Sequence, residues 1–240
     1  MRIVKSAEIR RQEVLDCAVR LFARHGYEET SVNQIIAELG ISKGAFYHHF
    51  TSKEDLVEAL ACRQAEEAAA RARTLLDEPA MDAFERLSVF LSALRASKVE
   101  TEPELLAAFR PIVMRGNSQL FERTQAAMRA AIGPILERII AEGVADRTFD
   151  TPDATEAAHL ILHLMSATRE HMAAMFSATD PLSFDLARDR LVARMRFIGT
   201  VVDRILGIPE GSLELVDEHV LDCVTEPMRS AIAPVRAHST

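Results

Sequence analysis

The stretch from Thr30 to Leu56 constrains this chain most strongly, because it contains the start signals of three helices and one tight turn. Ser31 is followed three residues later by Gln34, which is the pattern of a capping box at the start of a helix. Gly40 suits the left-handed conformation that ends a helix, and Ser42 is a typical cap for the next one. The stretch therefore predicts two short helices joined by a turn that contains glycine.

The second of these helices is short and has a polar outer face. Phe46 and Phe50 are four residues apart, so both are expected to face inward and anchor the helix. A helix-turn-helix of this kind places its second helix in the major groove of DNA. The expected DNA-contacting residues are Thr30, Ser31, Ser42, Lys43, Gly44, Ala45, Tyr47, His48 and Lys53.

The types of these residues fit the chemistry of DNA. The hydroxyl groups of Thr30, Ser31 and Tyr47 are expected to donate to phosphate oxygens. Lys53 lies at the start of a third predicted helix, where backbone amides also favour a phosphate. Lys43 suits a guanine edge, whereas Ala45 and His48 are expected at the base or backbone surface. A helix-turn-helix used only for protein contacts is the alternative.

The run from Gly26 to Leu56, GYEETSVNQIIAELGISKGAFYHHFTSKEDL, resembles the DNA-binding domain of the TetR family of bacterial transcriptional regulators. The resemblance extends from about Ile9 to Leu60, a quarter of the chain, with no departure inside the motif. It implies an N-terminal three-helix domain that binds a palindromic operator, and a larger helical domain that dimerises and encloses a small-molecule pocket. It also implies that the bound ligand changes the spacing of the two DNA-binding domains and releases the DNA.

Composition favours an all-α protein of this size. The chain has 240 residues and is 48% hydrophobic, which is enough for a substantial core. No alternation typical of strands, bounded by turn signals, stands out in the sequence. We predict about nine to ten helices, with an N-terminal arm and DNA-binding domain at 1–55 and the helix-turn-helix at about 31–50. A helical ligand-binding and dimerisation domain is predicted at 56–232, followed by a disordered tail at 233–240.

The net charge of −8 is unusual for a protein that binds DNA, but the charge is unevenly distributed. Residues 1–60 hold 8 Lys/Arg and 9 Asp/Glu, whereas the remaining residues hold 20 and 27. A nearly neutral N-terminal domain with a local basic surface can bind phosphates while an acidic remainder favours solubility. The basic residues expected to form that surface are Arg2, Lys5, Arg10, Arg11, Lys43 and Lys53.

Several sequence features bear on cellular location and chemistry. The three cysteines are far apart and show no CxxC or Cys/His metal spacing, so we expect reduced thiols. The N-terminus lacks the apolar core of a signal peptide, and no apolar run is long enough to span a membrane. There is no Gly-rich phosphate loop, GxSxG or HExxH motif. We therefore predict a cytoplasmic protein that is not an enzyme and holds no metal or cofactor.

Helical patterns follow the DNA-binding motif to the end of the chain. A long helix is expected from Lys53 to about 77–79, and it replaces a flexible linker between the two domains. Further helices are expected near 81–97, 103–110, 118–141, 153–176, 184–206 and 212–232. We assign the homodimer interface to the helices at 153–176 and 184–206, because they are long and partly apolar.

The ligand site of the second domain is predicted only by residue type. His159 and His163 are four residues apart, in a stripe that begins at Glu156, and three roles remain open for them. The two histidines suit the lining of a pocket, a subunit interface or a metal site. Methionines suit an adaptable pocket, although at helical spacing they more often form core. The candidate ligand-binding residues are Phe109, Met114, Phe121, His159, His163 and Met172.

Together with the resemblance to the TetR family, these patterns predict a ligand-responsive transcriptional repressor that binds DNA as a dimer. One short recognition helix reads too few base pairs for specificity, which favours a two-fold dimer. Two alternatives remain at this point. One is an all-α enzyme or small-molecule-binding protein in which DNA binding is secondary. The other is a transcriptional activator of the same fold, since promoter position decides the sign of regulation.

Overall fold

The structure, a computed structural model, describes residues 7–76, 81–99 and 118–232, and these residues form ten helices and no strand. The helices are α1 (Ala7–His25), α2 (Val32–Leu39), α3 (Lys43–Tyr47), α4 (Lys53–Leu76), α5 (Ala83–Val99), α6 (Ser118–Ala145), α7 (Ala154–Ser166), α8 (Arg169–Phe176), α9 (Pro181–Ile205) and α10 (Glu218–Ile232). The prediction of an all-α fold is confirmed. The helix expected near 103–110, the candidates Phe109 and Met114, and the tail at 233–240 lie outside the described residues.

The contacts within the chain define two compact units. Of the described residues, the first unit contains 7–65 and 118–127, and the second contains 66–76, 81–99 and 128–232. The division falls inside α4, after residue 65 and therefore later than the expected boundary at residue 55. The reason is that the first turns of α4 bury Leu56, Val57 and Leu60 in the first unit. Both α4 and α6 contribute residues to each unit.

The core of the first unit is built from the apolar faces of α1 to α4. Its largest fully buried side chains are Leu15, Phe22, Ile35, Phe46, Phe50, Leu56 and Leu60. Leu120 and Phe121, from the first turn of α6, pack into the same core. Phe121 is only 8% exposed, and this packing explains its apolar side chain without a ligand. The expectation that Phe121 lines a ligand pocket stays a prediction, and the structure places the residue in the core of the first unit.

The core of the second unit joins α5, α6, α7 and α9. Its most deeply buried large side chains are Leu87, Phe90, Leu136, Ile140, Val202 and Leu206. A smaller cluster lies beside it, with Met175, Phe184, Ala187 and Leu191 at its centre and Met172 at its edge. Within residues 7–76, 81–99 and 118–232, no helix has both the length and the apolar character that crossing a membrane requires.

Ion pairs connect α10 to α9. Arg229 of α10 donates to Asp185 at 2.7 Å, and Arg188 of α9 pairs with Asp222. Arg196 of α9 pairs with Glu218, at the start of α10. The pairs connect the early residues of one helix to the late residues of the other, so the two helices run antiparallel. Because these side chains are exposed, except for that of Arg188, the pairs determine how the two helices align more than they stabilise the fold.

The helix expected at 118–141 ends at Ala145, and the one expected at 212–232 begins at Glu218. Two other differences from the sequence prediction have a local cause. The segment expected as one helix at 153–176 is divided into α7 and α8, where the Thr168 hydroxyl donates to the Met165 carbonyl at 3.0 Å. Such local hydroxyl bonds compete with the helical pattern. The helix expected from 184 begins earlier, at Pro181, because Asp180 caps it by accepting from the Ser183 amide at 2.9 Å.

Candidate nucleic-acid interface

The helix-turn-helix of the first unit is fixed by local capping bonds. The Ser31 hydroxyl accepts from the Gln34 amide at 3.2 Å, and Gln34 Oε1 accepts from the Ser31 amide at 2.6 Å. Gly40 ends α2 in the left-handed conformation, with φ +60°. Ser42 then caps α3 by accepting from the Ala45 amide at 3.1 Å. These bonds confirm the capping box, the turn and the second cap that the sequence predicts.

Two phenylalanines determine which face of α3 points outward. Phe46 is fully buried and Phe50 is 1% exposed, with 6.0 Å between their ring centroids. The opposite face is left accessible, and Tyr47 at its centre is 54% exposed. Ala45 lies at the edge of this surface and is half-buried. The exposed members of the predicted DNA-binding set on and beside α3 are Ser42, Lys43, Gly44, Tyr47 and His48.

The side chain of Thr30 is buried inside the first unit. Its side chain is 1% exposed, and its hydroxyl donates to the carbonyls of Leu21 at 3.2 Å and Gly26 at 2.7 Å. These bonds tie the end of α1 to the segment that precedes α2. The expectation that the Thr30 hydroxyl contacts a phosphate is therefore corrected. Ser31 is exposed, and its hydroxyl takes part in the capping box.

Lys53 also makes contacts inside the first unit. Its ammonium donates to the Tyr27 carbonyl at 2.7 Å and lies 4.0 Å from the centroid of the Tyr27 ring. An ammonium has three donors, so the group keeps a donor for a phosphate while it holds the segment between α1 and α2. The Tyr27 hydroxyl in turn donates to Glu54 at 3.2 Å. Burial, followed by the negative charge of Glu54, raises the pKa of Tyr27 well above its usual range.

Two further residues lie beside α3: His49, which is outside the predicted set, and Arg11, which was predicted only as part of the basic surface. The guanidinium carbon of Arg11, on α1, is 5.3 Å from the centroid of the Phe50 ring. The rings of His48 and His49 are 5.0 Å apart, with an angle of 71° between their planes. His49 was missed because the anchoring pattern leaves it at the edge of the helix, where sequence gives no orientation. The proximity of Arg11 depends on the packing of α1, although its positive charge is visible in the sequence.

The candidate residues of the second unit lie in two different environments. His159 and His163 are exposed on α7, and so is Leu160 between them, at 54%. Within the described ranges, no group of three or more His, Cys, Asp or Glu side chains is arranged to hold a metal ion. Met172 is half-buried and packs against the smaller cluster beside α9. The two histidines therefore belong to an outer face, and Met172 lies at the edge of the smaller cluster.

Among its described residues, the second unit exposes large apolar side chains mainly on α7 and α9, and Val144 of α6 is 38% exposed. On α9, Leu182 is 79% exposed, Leu186 is 51% exposed and Phe197 is 60% exposed. Leu160 belongs to α7, which packs against α9. We call these four residues the α7–α9 apolar set.

Comparison with known proteins gives two kinds of match. The family model of bacterial regulatory proteins of the tetR family matches residues 14–60. The transcriptional repressor AcnR of Corynebacterium diphtheriae is 48% identical over 63 residues, which cover 25% of this chain and 33% of that protein. The chain spans between about a third and about half of the length of this and two further curated repressors that it matches.

Solved structures match over a larger part of the chain. A TetR-family transcriptional regulator from Syntrophomonas wolfei has a TM-score of 0.58 at 22% identity, covering 82% of this chain and 96% of that one. RolR in complex with the ligand resorcinol has a TM-score of 0.57 at 17% identity, covering 92% and 95%. At these identities the likeness shows the fold alone, and it extends well beyond the helix-turn-helix.

Proposed function

We propose that the chain, whose residues 14–60 match the family model of bacterial regulatory proteins of the tetR family, is a transcriptional repressor that binds a palindromic operator as a dimer and is released by a small molecule. The observation that carries this proposal is the outer face of α3. A helix capped at Ser42 and anchored by Phe46 presents Lys43, Gly44 and Tyr47 to the solvent. Such a helix fits the major groove of DNA.

We assign different tasks to the residues of this face. Lys43 is proposed to contact a guanine edge, and Ala45 a thymine methyl, so both would influence the preferred sequence. Tyr47 and Ser42 are proposed to donate to phosphates, together with the remaining donor of Lys53. Gly44 allows the DNA to approach the helix closely. His48, at the end of α3, completes the contact with the backbone.

A dimer follows from the small size of α3, which has five residues. So short a helix contacts only a few base pairs, and two copies related by a two-fold axis double the recognised sequence. We propose that the α7–α9 apolar set forms the dimer interface, because large exposed apolar side chains on adjacent helices are typical of one. His159 and His163 flank Leu160 and would become interface residues. Each contact would occur twice, as in any isologous interface.

Release by a ligand requires a connection between the second unit and the recognition helix. Because α4 and α6 are each continuous and contribute to both units, a change in the second unit can act on the first through them. A ligand shifts the equilibrium only if it binds one arrangement more tightly than the other. RolR binds resorcinol. We propose that this chain likewise binds a small organic ligand in its second unit, with Met172 as a candidate ligand-binding residue.

The sign of regulation rests on the relatives, because AcnR is named a repressor. Deletion of the gene is expected to raise transcription from the promoter that carries the operator, and a fall in transcription would indicate an activator. As chromosomal DNA lies in the cytoplasm of a bacterium, we place the protein there.

The test is selection of bound fragments from genomic DNA by the purified chain, with excess unrelated DNA present. Light scattering of the same sample gives its oligomeric state. A recurrent palindromic sequence bound by a dimer supports the proposal. If the retained fragments share no sequence, or if no fragment is retained, the proposal of a repressor is wrong. If the protein is a monomer at micromolar concentration, the proposal of a dimer is wrong. The DNA flanking the chain's own gene is the first fragment to measure, at two salt concentrations.

A further inference from the structure

A group of nitrogen-rich side chains lies at the end of the recognition helix. It consists of Arg11 from α1 and of His48 and His49 immediately after α3, and we call it the Arg11–His cluster. The two imidazole rings are 5.0 Å apart. The ring of Phe50 lies 6.4 Å from that of His49 and 5.3 Å from the guanidinium carbon of Arg11. His48 is exposed, and the other two are half-buried.

We propose that the Arg11–His cluster couples proton uptake to DNA binding, so that the operator is bound more tightly as the pH falls. The inference rests on the proposed function, since it concerns the same surface of the first unit. It adds a regulatory input, the proton, to the small molecule. It also adds His49 to the residues that act on DNA.

The free protein disfavours the protonated form of His49. Burial of the imidazole lowers the pKa of His49, and the positive charges of His48 and Arg11 lower it further. Glu8 raises that pKa and Arg10 lowers it, both from α1 and both by smaller effects. Arg10 also forms an ion pair with a carboxylate on its own helix, at 2.8 Å. At neutral pH the free domain therefore tends to keep this histidine uncharged.

The other elements next to α3 contribute little opposing charge. The charged side chain of α2 is that of Glu38. In the first turn of α4, Lys53 and Glu54 are bonded to the carbonyl and the hydroxyl of Tyr27. Asp55 accepts from the amide and the hydroxyl of Thr51. The charged groups that shift the pKa of His49 are thus mainly cationic, and a new anion nearby would shift that pKa in the opposite direction.

The phosphate backbone is such an anion. A negative charge within a few ångströms favours the protonated imidazole, which raises the pKa of His49 in the complex. The bound state then holds more protons than the free state, so linkage requires the affinity to rise as the pH falls. Each proton fully taken up changes the association constant by about tenfold per pH unit. A two-fold dimer takes up at most two protons, one in each copy of His49.

The experiment uses the full chain and the operator found by genomic selection. The dissociation constant is measured by fluorescence anisotropy between about pH 6 and pH 8, across the usual titration range of histidine. Ionic strength is kept constant, and light scattering at each pH verifies the dimer. The wild type is compared with His49→Gln, and with His25→Gln as a control. His25 is exposed at the end of α1, in the same unit but outside the cluster.

We expect the wild type and His25→Gln to bind about threefold to tenfold more tightly for each unit that the pH falls. The His49→Gln protein is expected to show a clearly flatter dependence. Equal slopes in all three proteins would overturn the inference. A wild-type affinity that does not change with pH would overturn it as well.

A second measurement does not require a folded variant. Calorimetric titration of the wild type with operator, in two buffers of different ionisation enthalpy, counts the protons taken up on binding. The imidazole resonances of His49 in the free and bound protein then locate the uptake. Zero uptake, or uptake at another group, overturns the inference. Specific binding that is independent of pH leaves the proposed function standing, whereas the absence of specific binding at every pH would overturn that function.

Discussion

The carboxylate of Asp203 accepts a hydrogen bond from the backbone amide of Gly211, with 2.7 Å between Oδ2 and the nitrogen. Its other oxygen accepts from the Leu213 amide at 3.1 Å. Asp203 is fully buried on α9, so one side chain shapes the loop that follows this helix. The loop delivers Leu213 and Leu215 to the core of the second unit.

Replacement of Asp203 by alanine is expected to destabilise the protein by about 2–4 kcal/mol, because it leaves two backbone amides unpaired, one of them buried. Denaturant unfolding at a fixed protein concentration measures this loss. The matched control is Glu210→Ala in the same loop, where an exposed carboxylate pairs with Arg204 at 2.6 Å. That control is expected to cost at most about 1 kcal/mol. Similar losses in both variants would contradict the role assigned to Asp203.

Gly143 is needed because the ring of Phe149 occupies the space of a side chain. A Cβ at this position would lie 2.1 Å from Phe149 Cδ2. We expect Gly143→Ala to destabilise the protein by about 1–3 kcal/mol through overpacking. In the same helix, a Cβ at Gly133 would meet Leu162 Cδ1 at an ordinary 3.7 Å. Gly133→Ala is therefore expected to be neutral or stabilising by up to about 1 kcal/mol, and thermal unfolding of both variants tests the contrast.

The sequence predicted those features of the first unit that depend on near neighbours. The bonds of Ser31 with Gln34 and of Ser42 with Ala45 span three residues each, so the caps were readable from spacing. The orientation of α3 followed from the four-residue spacing of Phe46 and Phe50. For these elements local pattern and tertiary structure agree, as expected of a sequence that specifies one fold.

Features that depend on partners far apart in the sequence could not be predicted from it. The carbonyl that Lys53 binds belongs to a residue 26 positions earlier, and the role of Arg11 depends on how α1 packs beside Phe50. The burial of Thr30 follows from the path of the chain after α1, so its hydroxyl looked available for DNA. The core position of Phe121 likewise depends on the first turn of α6 packing into the core formed by α1 to α4.

The two tyrosines of the chain allow DNA binding and stability to be separated. Tyr47 is exposed, and Tyr47→Phe removes a hydroxyl without altering the core. We expect this change to weaken binding to all DNA sequences by about 10- to 100-fold, the value of a hydrogen bond to a charged group, with an unchanged melting temperature. Tyr27→Phe removes the bond to Glu54 and is expected to lower stability by about 1 kcal/mol while DNA affinity is retained. The reverse outcome would show that Tyr47 does not contact DNA.

Gly44 provides a test of close approach by DNA. A Cβ at this position would have only the Ser42 hydroxyl within reach, at 4.0 Å, so the folded protein accommodates alanine. We expect Gly44→Ala to preserve stability or raise it by up to about 1 kcal/mol, because alanine favours helix. Its affinity for the operator is nevertheless expected to fall, since the new methyl group lies on the surface that faces the groove. A variant with undiminished affinity would remove Gly44 from the proposed contact set.

The exposed phenylalanine of α9 tests the dimer interface directly. Phe197→Glu places a charge in the α7–α9 apolar set, and an isologous interface would bury that charge twice. We expect the dimer dissociation constant to rise at least about 100-fold, the effect of losing a binding hot spot, with operator binding lost in parallel. The control is Val144→Glu, on an apolar residue of α6 that is 38% exposed and outside the set. Sedimentation measures the oligomeric state of both variants. A Phe197→Glu protein that remains dimeric at micromolar concentration would show that the interface lies elsewhere.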